Sequence, residues 1–209
     1  LTRESPRAWK FLASLEDDQA LVMTASGRLS RLQLRQQDQV SFFDEVTAVP
    51  LEHAVDTGLT IVGDDLIVAD NQPAVKVLNA RSLEVTAEAP LPQPAPVAPR
   101  VVGDRVYVQS GREQLFCFDL KNNLAQLWSV QLPQTVMAGT PLPEGETVTV
   151  ALQNGEILRI DGQSGEIVET RNVEQAIVDG PFLLGEVPVV IAADGSVIAL
   201  KSKSQEAAQ

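Results

Sequence analysis

Three kinds of residue in this chain carry enough chemistry to build a site. The acid clusters Glu16-Asp17-Asp18 and Asp64-Asp65 supply the hard oxygen donors that a calcium ion takes; the same residues are also ordinary turn formers. The stretch Gly162-Gln163-Ser164-Gly165 places a serine between glycines, as a nucleophile elbow does. That motif needs its last glycine where Glu166 stands, and a strand-to-helix turn around it. A β-turn in which Asp161 and Ser164 bond to local backbone is the better expectation. The third kind is neutral: Gln93, Gln134 and Gln175 recur at similar places in three connections, and Asp179 closes the last of these. Such amides, offering donors and acceptors without charge, suit a polar peptide or a glycan.

The remaining reactive groups are sparse. The single histidine, His53, and the single cysteine, Cys117, cannot fill the four places of a structural zinc. One cysteine also excludes an internal disulfide. Cys117, between Phe116 and Phe118, is expected as a small core residue, because apolar surroundings keep a thiol protonated. His53 is expected in a solvated connection. No phosphate-binding glycine loop and no histidine metal motif occurs. The formal charge of −12 and the pI near 4.5 repel phosphate backbones, so nucleic acid is not an expected partner. No apolar run reaches the roughly 20 residues of a membrane-spanning helix.

The elements that must carry these residues follow from a repeat. Gly63, Gly103, Gly145 and Gly185 stand 40, 42 and 40 residues apart, each followed by an acid and a short apolar run. A fixed period of this size signals stacked supersecondary units. The unit reads most clearly after Gly145: Thr147 to Leu152, the turn Asn154-Gly155, Glu156 to Asp161, the turn Ser164-Gly165, and Glu166 to Thr170. Asn-Gly between β-rich runs is a strong hairpin signal. Three turns and four runs predict a four-stranded antiparallel meander. An earlier copy keeps Leu21 to Thr24, Ser26-Gly27 and Leu29 to Leu34 without the leading glycine. Each second strand is almost continuously apolar, which requires burial on both faces. Sheets packed between like sheets make an all-β propeller of four-stranded antiparallel blades.

The periods resemble the PQQ-like repeat of quinoprotein-dehydrogenase-type propellers. The stretches that match are Ala98-Pro99 to Gly103-Asp104, Thr140-Pro141 to Gly145, and Gly180-Pro181 to Gly185. Asp119 and Asp161 match the strand-end aspartate, Ser164-Gly165 the Thr-Gly turn, and Trp128 the tryptophan, one residue late. The chain departs from the pattern at Asn122-Asn123, which replaces Thr-Gly, and at Glu169, which takes the next tryptophan place. Residues 1–200 are expected as one PQQ-like propeller domain, or the C-terminal part of one, and 201–209 as a polar tail. Five copies are visible, either as a closed five-bladed ring or as part of a larger one. Leu1 to Trp9 is the segment that would complete the last, three-stranded copy, although Pro6 interrupts it.

The resemblance implies tryptophans that dock on adjacent blades, and an extracytoplasmic location. It also implies a quinone site over a tryptophan, under a Cys-Cys pair, beside calcium. Without that pair, and with Trp9 and Trp128 away from a platform position, no cofactor and no catalysis are expected. In a propeller, the connections from outer strand to next inner strand share one face with the middle turns. Here they are Phe43 to Thr57, Pro90 to Ala98, Pro133 to Ala138, and Asn172 to Asp179. Function is expected on that face, at Gln93, Gln134, Gln175 and Asp179, as docking of a protein or peptide partner. Two alternatives stand beside it: a fragment of a propeller enzyme whose catalytic groups lie in other blades, and a lectin-like ring that binds glycans.

Overall fold

The computed structural model describes residues 9–51 and 55–200. His53, the tail 201–209 and all of the Leu1–Trp9 segment except Trp9 lie outside them. All regular secondary structure among the described residues is β, and the chain divides into two units, Leu1–Pro99 and Arg100–Gln209.

The first unit holds two meanders. One runs β1 (Trp9–Ser14), β2 (Gln19–Thr24), β3 (Arg28–Gln37) and β4 (Val40–Pro50). The next runs β5 (Thr60–Val62), β6 (Asp65–Asp70), β7 (Ala74–Asn79) and β8 (Val85–Pro90). The second unit opens with β9 (Arg100–Val102), β10 (Arg105–Ser110), β11 (Gln114–Asp119) and β12 (Ala125–Gln131). It continues with β13 (Leu142–Glu144), β14 (Thr147–Ala151), β15 (Glu156–Asp161) and β16 (Ile167–Asn172). It ends with the three-stranded β17 (Ile177–Leu184), β18 (Val187–Ala192) and β19 (Val197–Ala199). This is the propeller-blade architecture that the repeat predicts, including a last copy of three strands.

The repeated glycine makes the first turn of each copy. Gly103 has φ 59° and sits with Asp104 between the paired residues Val102 and Arg105, a two-residue loop whose first position needs positive φ. The acid after it ties the sheet together. Its carbonyl accepts the backbone N–H at the end of the third strand: Ala80 to Asp64 at 2.7 Å, Leu120 to Asp104 at 2.9 Å, Gly162 to Glu146 at 2.8 Å. Two of the carboxylates also meet the third turn, at Arg81–Asp64 and Lys121–Asp104, both 2.8 Å.

The second strands β2, β6, β10 and β14 are buried along nearly their whole length, as a sheet covered on both faces requires. In the first unit, Leu21, Met23 and Leu29 of one sheet pack with Leu66, Val68 and Leu78 of the next. In the second, Ala151 and Ile157 pack with Ile177 and Val190. Burying each of the Leu, Ile, Val and Met side chains among these contributes roughly 1.5–3 kcal/mol.

Each outer strand carries a bulge at the same place. The register slips between Arg31 and Leu32, Val77 and Leu78, Cys117 and Phe118, and Arg159 and Ile160. Val46, Thr86, Leu127 and Val168 are the residues skipped, and such an extra residue bends the strand and increases its twist. Trp128, Ala87, Thr47 and Glu169 follow the bulges in equivalent register. The loop between Asp119 and Ala125 is one residue longer than that between Asp161 and Glu166, and so Trp128 falls one place later in its repeat than Glu169 does.

Two expectations about connections are corrected. Phe43 to Thr57 is not all connection, because Phe43 to Pro50 belongs to β4, paired with β3 over a long ladder. The turn between them is Asp38-Gln39, with φ 48° and 66°. Asx and amide side chains tolerate this conformation without glycine, so no glycine marks the turn. Asn172 to Asp179 is likewise shorter than expected, since β17 begins at Ile177.

Candidate binding face

At one end of every four-stranded sheet, the second turn and the residue that leaves the outer strand are joined through backbone. Leu51 N–H donates to Gly27 O at 2.8 Å, Leu91 to Pro73 at 2.7 Å, Leu132 to Glu113 at 2.6 Å, and Val173 to Gly155 at 3.0 Å. Middle turns and outgoing connections therefore share an end, as the propeller reading requires. Polar side chains there sit on main chain already held in place.

In the second unit the lacing goes further. The connection after β12 forms a bridge between Met137 and Leu152, with Ala138 N–H donating to Ala151 O and Gln153 N–H to Val136 O, both 2.9 Å. Gln109 completes it. This fully buried amide donates from Nε2 to Thr135 O at 2.6 Å and accepts Met137 N–H on Oε1 at 2.9 Å. Both halves of the amide are satisfied, as burial demands. Gln109 is not singled out by sequence, its only signal being an amide directly after Val106-Tyr107-Val108, within a strand buried on both faces.

The four expected residues fall as follows. Gln93 is exposed on the connection after β8, in the first unit. Gln134 donates from Nε2 to Glu113 Oε1 at 2.8 Å, which joins the connection to the second turn of its own sheet. Gln175 accepts Ser196 Oγ–H on Oε1 at 3.4 Å, toward the second turn of the next sheet. Its backbone carbonyl lies 2.5 Å from where a Cβ on Gly155 would stand. Asp179 is corrected: it is in β17 and not on a loop, flanked by two register irregularities. Its Oδ1 accepts Gly180 N–H at 2.9 Å and lies 2.8 Å from the Cβ position of Gly139. Gln134 and Gln175 are exposed and each uses one end of its amide for a turn contact. Asp179 stands apart from them as an inner-strand carboxylate.

The opposite end of the sheets is charged. Besides the Asp64–Arg81 and Asp104–Lys121 pairs, the third turn of the fourth sheet is organised by Asp161. Its Oδ1 accepts Ser164 N–H at 2.7 Å, Gln163 N–H at 3.0 Å and Ser164 Oγ–H at 3.0 Å. These bonds, the one from Ser164 N–H first, hold the carboxyl below its ordinary range. Ser164 is thereby a turn residue. Glu16, Asp17 and Asp64 share a cavity of about 370 Å³ with Arg81, so a guanidinium answers the carboxylates there. Among the described residues, no three of His, Cys, Asp and Glu converge as metal ligands. Burial pushes the Cys117 thiol, and the Tyr107 hydroxyl paired across from it, each up to about 12. Cys117 therefore stays a protonated core thiol at neutral pH.

Trp128 joins the third sheet to the fourth. Its ring lies over Gly165, whose Cβ position would be 2.8 Å from the ring, and its Nε1–H donates to Gly162 O at 3.0 Å. Arg105 Nη1 donates to the same carbonyl. No helix among the described residues is long and apolar enough to cross a membrane.

A family model described as outer membrane protein assembly factor BamB matches residues 25–176 and 123–208. No curated protein matches the chain. Among solved structures, BamB from Moraxella catarrhalis aligns with 90% of the chain at 20% identity and a TM-score of 0.69. This chain spans 59% of the length of that protein. The structure of BBS1N in complex with ARL6DN aligns with 96% of the chain and 67% of its own, at 14% identity and a TM-score of 0.65. The computationally designed Ika4 protein aligns over 71% of this chain and 91% of its own, at 14% identity and a TM-score of 0.59. At these identities the structural matches establish the fold alone.

Proposed function

Since the chain belongs to the PQQ-like propeller family described as outer membrane protein assembly factor BamB, we propose that it is a non-catalytic propeller that docks a protein partner. The docking surface is the end of the blades where second turns and outgoing connections meet, and Gln134 and Gln175 contribute exposed amides to it. Gln93 is the corresponding exposed amide in the first unit, and Asp179, set back in β17, is left outside this surface. The partner is a protein of the cell envelope, an extracytoplasmic setting in keeping with the name of the family.

One observation carries this reading. The backbone pin from each outgoing connection to its second turn recurs in all four four-stranded sheets, and the Gln109 clamp reinforces it in the third. Loops held in advance lose little conformational freedom when a partner binds, which is where much of the cost of association lies. Polar amides on such a frame give orientation and hydrogen bonds without a charge to desolvate.

Photo-crosslinking in cells tests it. A crosslinking residue replaces Gln134 or Gln175 in the full chain, and Arg81 or Lys121 at the charged end serves as control. Discrete protein adducts from the first pair and none from the second are the expected result. Adducts confined to Arg81 and Lys121 would move the docking surface to the other end and overturn the assignment.

A further inference from the structure

The outer strand of the first sheet is unlike its counterparts. β8, β12 and β16 have 6, 7 and 6 residues, whereas β4 has 11. The pairing of β2 with β3 reaches only to Gln19 opposite Gln33. Beyond that point β3 and β4 run on together, from Leu34 opposite Phe43 to Gln37 opposite Val40, and turn at Asp38-Gln39. The result is a two-stranded arm, a form that is marginally stable in water by itself. Val40, Phe42 and Phe43 on it are 63%, 41% and 47% exposed. Both faces of the arm are apolar, because the neighbours Phe42 and Phe43 point to opposite sides of the strand.

The main chain of the outer edge is open as well. Leu34 N–H donates to Asp18 O at 2.8 Å, so the peptide groups of Leu34 face away from β4. Phe43, paired opposite Leu34, and Ser41, two residues before it, therefore turn their N–H and C=O groups to the far side of β4. Among the described residues β4 has a sheet neighbour on one side only. A long edge with exposed apolar side chains invites another strand. Charge selects its kind. β4 carries Asp44 and Glu45 and no lysine or arginine, while the arginines that answer them, Arg35 at 3.0 Å and Arg28 at 2.6 Å, stand on β3. A second copy, with its own formal charge of −12, would bring like charge to this edge. We propose that the free edge of the arm accepts an extended strand of a basic partner protein. Hydrogen bonds to the main chain of Ser41 and Phe43 hold that strand, its apolar side chains cover Phe42 and Phe43, and its cations meet Asp44 and Glu45. The arm projects from the third-turn end of its sheet, opposite the end assigned to docking, so either assignment can fail without the other.

The test is titration of the full chain with the capped peptide acetyl-Lys-Val-Thr-Val-Lys-Val-amide, followed by amide NMR and hydrogen exchange. Saturable binding with Kd below about 1 mM is expected. The amides of Ser41 and Phe43 should shift and gain protection, while those of Phe42 and Asp44, already turned toward β3, change little. The same peptide methylated at alternate backbone nitrogens keeps its charge and side chains but should not bind. A version with Glu in place of Lys should bind about fivefold more weakly or worse. Ser41→Pro removes one outward N–H and no bond to β3, and should weaken binding about fivefold; the methylated peptide makes the same comparison with the arm unaltered. Absent saturation, equal binding of the methylated or acidic peptide, or unchanged affinity in Ser41→Pro overturns the proposal. A chain that is dimeric in the ultracentrifuge and monomeric as Ser41→Pro gives the edge to a second copy, and overturns it too.

Discussion

Trp128 and Glu169 occupy the same place in adjacent sheets, each just past the bulge of an outer strand. Trp128 is 4% exposed, lies on Gly165 and donates to Gly162. Glu169 accepts Arg171 Nε at 2.8 Å and Arg159 Nη1 at 3.4 Å, an ion-pair cluster open to solvent on one side. Yet the two strands carry the same bulge at the same register and their sheets keep the same order. The bulge therefore does not depend on the aromatic side chain that marks the repeat in sequence. What differs is adhesion to the next sheet: one position seals it with a large apolar ring, the other leaves it polar.

Substitutions break this comparison in order of size. Trp128→Ala should cost about 3–5 kcal/mol of unfolding free energy, read by urea denaturation; a loss as small as that at Glu169 would mean that the ring does not hold the sheets. Gly165→Ala attacks the same contact from beneath, adding a Cβ under the ring at a backbone φ of 76°. The combined strain and overpacking should cost about 2–4 kcal/mol, and the double variant with Trp128→Ala should recover the overpacking share. Gly155→Val should cost about 2–4 kcal/mol as well, because φ is 92° and the new Cβ meets Gln175 O; unchanged thermal stability would contradict the turn. Glu169→Ala should cost under about 1 kcal/mol, as expected of a partly solvated ion pair.

Acid supplies the finest distinction. Hydrogen bonds and charge from Arg171 and then Arg159 hold the Glu169 carboxyl below its ordinary value, and backbone and hydroxyl donors of Ser164 and Gln163 do so for Asp161. A carboxyl with a lowered folded pKa binds its proton more weakly in the folded state. The stability it contributes is full above the unfolded value, about 4, and is lost as pH falls through the folded value. Unfolding midpoints measured between pH 7 and pH 3 should fall in the acid range. Glu169→Gln and Asp161→Asn should each flatten that fall, and Trp128→Ala should lower every midpoint without changing the slope. An acid slope abolished by Trp128→Ala would remove the contrast between the two positions.

The blades were legible because their turns are written in glycine. Gly63, Gly103, Gly145 and Gly185 mark positions where positive φ is needed, and the apolar second strands mark burial on both sides. β4 was not legible, because Asp38-Gln39 makes its turn without glycine and most of the strand faces solvent without a clean alternation. The candidate face was half legible. Recurrence placed Gln134 and Gln175 on connections, but their bonds to Glu113 and Ser196 depend on contacts outside each connection's own sequence. Asp179 belongs to a strand and not to a connection because Gly180-Pro181 opens the repeat unit in sequence while β17 already begins at Ile177. Gln109 escaped because a buried amide paired at both ends looks, residue by residue, like an exception to its strand.

The protonated thiol of Cys117 has one more consequence. It is the sole sulfhydryl of the chain and is sealed between Trp128's strand and Tyr107's strand. Its rate of alkylation is then a clock set by how often the third sheet comes apart locally. The molecule carries its own gauge of breathing, and no label need be introduced to read it.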